Sequence, residues 1–172
     1  MAIIVKNIGS NILNAGPLAL LYFLSITEVD THFSNYFEIL SFNLQMIIIY
    51  YWVLRNASIL GYGHIFFAGI INDVIMSLSL GTSGLGYLIT AFVASYISSV
   101  TVKINLFTDW FTFLIAIFFS NLTYYILIIN FSTLAVNYTD LFYNSFFTFL
   151  FYPLFWLIFN YYKYFISIKK ND

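Results

Sequence analysis

The 172-residue chain has no cysteine, two prolines and only thirteen charged side chains, 8% of the whole. Without cysteine there is no disulfide framework, thiolate metal site or cysteine nucleophile. Six basic against seven acidic residues leave a net charge of −1, too balanced for a polybasic surface that would bind nucleic acid or lipid. What fills the space is apolar: 62% of the residues, with 21 Phe and 15 Tyr, for a mean hydropathy of +0.90. A soluble domain is about half apolar and about a quarter charged, and a small water-soluble fold cannot hide this much apolar surface. The composition therefore implies an integral membrane protein.

A hydrocarbon core of about 30 Å takes roughly 20 helical residues. Apolar stretches between polar breaks predict six spans, over 10–27, 38–54, 58–77, 84–100, 108–130 and 141–162. Runs such as Met46-Ile47-Ile48-Ile49-Tyr50-Tyr51-Trp52-Val53-Leu54 do not alternate as barrel strands do. The expected fold is thus all-α, one bundle of six transmembrane helices with no separate soluble domain. The predicted connections are short, among them a tight turn at Arg55–Ala57 and a Gly-bearing loop at Ser79–Ser83. Span one lacks a convincing cleavage site and reads as retained.

With six spans, Lys6, Arg55, Lys103, Lys163, Lys169 and Lys170 fall on one side, and Glu28, Asp30, Glu38 and Asp140 on the other. Basic residues stay in the cytoplasm, so both termini are expected there.

The third and fourth spans differ from the rest. On a helical wheel Gly61, His64, Ala68, Gly69, Asn72 and Asp73 occupy one half, and Phe66, Phe67, Ile70, Ile71, Val74 and Leu78 the other. Small and polar groups in lipid should face protein. Span four repeats the device with Gly86, Thr90, Ala94 and Ser98. The expectation is a close hairpin at the bundle centre, ringed by the aromatic spans two, five and six. A carboxylate at membrane depth costs about 2.5–3.5 kcal/mol, so Asp73 needs partners. Two readings stay open: the free amides of Leu80-Gly81-Thr82-Ser83-Gly84 hold it, or Asp73 with Asn72 contacts a ligand, a proton or a partner helix. His64 reads as a hydrogen-bonded packing residue, and Asp109-Trp110 as a helix start at the headgroup layer.

Gly81-Thr82-Ser83-Gly84 fits the Gly-x-Ser-Gly string of intramembrane serine proteases, but the nearest histidine in sequence, His64, is expected at the opposite face. Such a serine needs a base. No phosphate loop, His-Glu-x-x-His or paired carboxylate is present. Neither an enzyme nor a cofactor-binding protein is expected.

Tyr51-Trp52-Val53-Leu54-Arg55-Asn56, then Gly69-Ile70-Ile71-Asn72-Asp73, then Leu80-Gly81-Thr82-Ser83-Gly84-Leu85 and Tyr87-Leu88 resemble the bacterial rod-shape-determining protein family MreD. The likeness is clear over 50–96 and extends over 106–161. The Gly–Asp–Leu-Gly spacing also resembles the substrate-binding components of some vitamin transporters, and the two resemblances together imply a six-helix membrane fold. Ser79 and Ala57 stand where that family often has proline. The resemblance implies a non-catalytic inner-membrane component of the cell-wall elongation machinery. Its implied partners are MreC, RodA and a class B penicillin-binding transpeptidase, with MreB acting indirectly. The motif residues are Gly69, Asn72, Asp73, Leu80, Gly81 and His64. The alternative is a membrane component of a transporter that binds a small molecule.

Overall fold

A computed structural model describes residues 2–27, 43–101, 105–131 and 138–171, with side chains described over 15–27, 43–101, 105–131 and 138–166. The acidic loop residues Glu28, Asp30 and Glu38, the start of predicted span two, and Lys103 lie outside the described residues. Among those described, every regular element is helical: α1 Ala2–Thr27, α2 Leu44–Leu60, α3 Tyr62–Ile75, α4 Thr82–Val100, α5 Leu106–Phe131 and α6 Tyr138–Asn171.

Three of these, α4, α5 and α6, are long and apolar enough to cross a membrane, and α2 with α3 makes a fourth only if that bent pair counts as one span. The chain is thus multi-pass in character, with three or four spans among the described residues against the six expected. With 14 residues, α3 reaches only about 21 Å, less than a hydrocarbon core of about 30 Å. Of α1, the stretch Ala15–Thr27 is an apolar helix shorter than a span among the residues whose side chains are described. The Tyr22 hydroxyl meets His64 Nδ1 at 2.9 Å, which joins α1 to α3.

The expected turn at Arg55–Ala57 is present as a break in the helix, and the full reversal follows it. Helix α2 kinks at Asn56 (φ −163°, ψ 95°) and ends at Gly61. The Asn56 carboxamide oxygen accepts from the Ser58 N–H at 3.2 Å and from its hydroxyl at 2.7 Å, a local turn that competes with the helix. The reversal itself needs Gly61, at φ +68°, where a Cβ would be strained. From there α3 departs at 115° to α2.

The centre of the bundle is α2, not the α3–α4 hairpin. It packs against all five other helices, which close a ring α1–α3–α4–α5–α6 around it. Every residue from Gln45 to Leu54 is buried. A helix apolar on all sides suits either a core or lipid, and lipid tails are as apolar as leucine. Composition therefore could not tell the middle from the rim. At its start, Asn43 Oδ1 accepts the Met46 N–H at 3.0 Å while the Asn43 N–H donates to Thr148 Oγ1 at 2.8 Å. That cap also ties α2 to α6.

The outer faces of the ring carry the remaining apolar bulk. Phe111, Phe118 and Leu122 of α5 and Phe146, Leu154 and Leu157 of α6 are all exposed. Helix α6 runs unbroken through Pro153. A proline removes the N–H that would have bonded the carbonyl four residues back, here that of Phe149. Trp110 Nε1 of α5 donates to this carbonyl at 2.9 Å, and the two rings stack with centroids 5.1 Å apart. The group left unpaired by proline thus becomes a fixing point between α5 and α6.

Candidate functional site

Two buried carboxylates organise the interior. Asp73, fully buried, sits near the end of α3. Its Oδ2 accepts the Gly81 N–H at 2.8 Å and its Oδ1 the Ser83 N–H at 2.7 Å. These amides open α4, where no residue caps its own helix through a side chain. Asp73 supplies that cap from the preceding helix, with its negative charge at the positive end of the helix dipole.

The local sequence builds this arrangement in three steps. The α3 helix closes with the Leu78 N–H on the Asp73 carbonyl at 2.9 Å. Ser79 accepts the Thr82 N–H and hydroxyl at 3.1 and 2.7 Å. Gly81, at φ +95°, then takes a left-handed conformation open to glycine, which turns its N–H back toward Asp73.

Close approach of the two helices comes from a second glycine pair. A Cβ on Gly69 would collide with Gly84 Cα and stand 2.9 Å from the Ser83 carbonyl carbon. Hydrogen at Gly69 lets the backbones touch, and a Cβ on Gly84 would press on the Phe66 ring at 3.0 Å. Asn72 Nδ2 adds a bond to Ser83 Oγ at 3.1 Å, while its Oδ1 is buried without a hydrogen-bond partner among the described residues.

The structure therefore joins Gly69, Asn72, Asp73 and Gly81 in one unit. It does not bring His64 or Leu80 into that unit. His64 is directed to Tyr22 of α1, and Leu80 is 72% exposed at the loop. Ser83 Oγ is engaged by the Asn72 amide nitrogen. On the far side of α4, the Ser120 hydroxyl of α5 donates to the Gly86 carbonyl at 2.9 Å, extending the contact to a third helix.

The second carboxylate is Asp109 in the first turn of α5. The sequence suggested an ordinary interfacial helix start. Instead Asp109 is 2% exposed and pairs with Arg55 Nη2 at 3.0 Å, with the Arg55 side chain 8% exposed. Trp156 Nε1 of α6 donates to the same Oδ2 at 2.9 Å. The Arg55 guanidinium lies 3.7 Å from the Tyr51 ring centroid, and it donates from Nη1 to the Tyr51 carbonyl at 3.3 Å. A planar guanidinium can stack and hydrogen-bond together in this way.

Sequence reasoning missed this cluster, although Asp109 opens span five just after Lys103, which falls on the same side as Arg55. That shared depth was the usable signal. Beside it, the Tyr50 hydroxyl and Thr112 Oγ1 are 2.6 Å apart, and Tyr152 stacks on Phe113 at 4.5 Å. Three helices thus meet around one ion pair.

Neither cluster sets a base against the Ser83 nucleophile candidate, and no group of three metal-ligating side chains occurs among the described residues. What these arrangements do chemically is satisfy buried polar atoms and fix helix positions. No protein-family model, curated protein or solved structure matches the chain.

Proposed function

We propose that this protein is a non-catalytic scaffold of the bacterial cell-wall elongation machinery, in the manner of the MreD family. It would reside in the inner membrane, with Arg55 and Lys163 toward the cytoplasm. The observation that carries the reading is the behaviour of the residues on which the resemblance rests. Gly69, Asn72, Asp73 and Gly81 form one tightly fitted hairpin, in which the carboxylate is consumed by backbone amides. A motif used up in internal architecture suits a protein that acts through its shape.

The work would then be done by the ring's outer surface. Its exposed aromatic and aliphatic side chains suit packing against other transmembrane helices, where affinity comes from close contact and a few interhelical hydrogen bonds. The partners would be MreC, RodA and a class B penicillin-binding transpeptidase, with MreB engaged indirectly. Depleting the protein in its host is expected to widen or round the cells, and membrane pull-down should recover these partners. Unaltered shape with none of them recovered would remove the reading.

A second reading, a small-molecule-binding transport component, is favoured by one observation. Asn72 Oδ1 is buried with no hydrogen-bond partner among the described residues. A purified sample that carries a tightly held small ligand would support it over the first.

A further inference from the structure

We propose that the overhanging turns of α6 bind anionic lipid headgroups. Helices α5 and α6 run antiparallel with a steady register. Tyr125 faces Tyr138, Asn121 bonds Ser145, Phe113 stacks on Tyr152 and Asp109 accepts from Trp156. From Asn121 to Asp109 the twelve residues of α5 run beside eleven of α6, Ser145 to Trp156, which sets Leu106, the first residue of α5, within about a turn of Phe159. Helix α6 continues to Asn171, so twelve residues, about 18 Å at the helical rise, project past the end of α5.

The 26 residues of α5 already reach about 39 Å, more than a hydrocarbon core of about 30 Å. The overhang therefore begins at the headgroup layer. Its first turn is held by protein. Tyr162 packs on Trp52 with centroids 6.2 Å apart, and its hydroxyl fills the space a Cβ on Gly16 would need. Beyond that anchor Lys163, Tyr164 and Phe165 are exposed.

The sequence of the overhang, Asn160-Tyr161-Tyr162-Lys163-Tyr164-Phe165-Ile166-Ser167-Ile168-Lys169-Lys170-Asn171, holds three lysines and no acidic residue. Tyrosine rings belong at the membrane–water boundary, and lysines there attract anionic lipid, each worth about fivefold in preference. Charge complementarity thus selects the headgroups of acidic phospholipid as occupant. The chain's overall balance excludes a polybasic surface, yet half of its six basic residues fall in these twelve positions, followed by the single acidic Asp172, so the preference is that of a few lysines at one helix end.

The test uses the full-length protein in nanodiscs of phosphatidylcholine with about a third phosphatidylglycerol, a strongly anionic surface. Native mass spectrometry reads which lipids stay bound. The wild type is expected to retain phosphatidylglycerol at least tenfold over phosphatidylcholine, falling with added salt as surface electrostatics are screened. The K163Q/K169Q/K170Q variant should lose most of that preference, while K163R/K169R/K170R should keep it. A preference unchanged in the glutamine variant would overturn the proposal, as would a wild type that retains both lipids equally. A partner protein that replaces the lipid and abolishes its retention would also overturn it. Circular dichroism of each variant separates lost binding from lost folding.

Discussion

Asp73 and Asp109 are both buried carboxylates in an apolar helical protein, yet they are satisfied in opposite ways. Asp73 is held by two backbone amides from a loop that begins a few residues later in the chain. Asp109 is held by side chains from two other helices, one of them a guanidinium 54 positions away in sequence. The first arrangement shapes a hairpin, and its charge neutralises a helix end. The second ties the central α2 to α5 and α6, and its charge is balanced by another full charge. Losing a partner should therefore hurt the second more, because it strands an ion in a dry interior.

That difference can be broken experimentally, beginning with the ion pair. Arg55→Ala is expected to destabilise the protein by about 3–5 kcal/mol, since an uncompensated buried carboxylate remains. Chemical unfolding in detergent or nanodiscs would measure it. The double variant Arg55→Met/Asp109→Leu should recover most of the loss, because no buried charge is left behind. If the double is as damaged as the single, the pair does more than balance charge.

At the hairpin, Asp73→Ala leaves two amides unpaired and should cost about 2–4 kcal/mol, measured in the same way. Asp73→Asn, which keeps one acceptor, should cost roughly half as much. Equal damage from the Asn variant would indicate that the negative charge itself is required. Gly69→Ala tests the close approach directly. Overpacking against Gly84 is expected to cost about 1–3 kcal/mol and to leave the Arg55–Asp109 region intact, which disulfide trapping between α2 and α5 would show.

Smaller effects belong to the joint between α5 and α6. Trp110→Phe should cost about 1 kcal/mol where Pro153 leaves the Phe149 carbonyl free, and less in a Pro153→Ala background, where the helix reclaims that carbonyl. A double-mutant cycle reads the coupling. Purely additive losses would mean that the indole bond is incidental.

The hairpin was legible because its parts are close in sequence. Gly69, Asp73 and Gly81 fall within one helix, one loop and one helix start, and the helical wheel already separated a small, polar half from a bulky one. The free amides near Gly81 were visible partners for Asp73. The position of α2 was not legible, since a lipid-facing helix and a core helix carry the same residues, and lipid offers no contrast to read. Nor was the reversal at Gly61. Arg55 followed by Asn56 looked like the turn, whereas Asn56 only kinks the helix and the positive φ comes five residues later. The Arg55–Asp109 pair needed both ends placed in space. Each residue alone had an adequate interfacial explanation, and only burial shows that they meet.

The arrangement of five helices around α2 is the claim on which the rest turns, and the lack of native cysteine makes it simple to test. Single cysteines at Ile48, on α2, and at Phe118 and Leu154, on the outer ring, would be exposed in native membranes to a lipid-soluble thiol reagent. The ring predicts fast labelling at Phe118→Cys and Leu154→Cys and near-complete protection at Ile48→Cys. Labelling of Ile48→Cys as fast as Phe118→Cys would place α2 against lipid and contradict the fold.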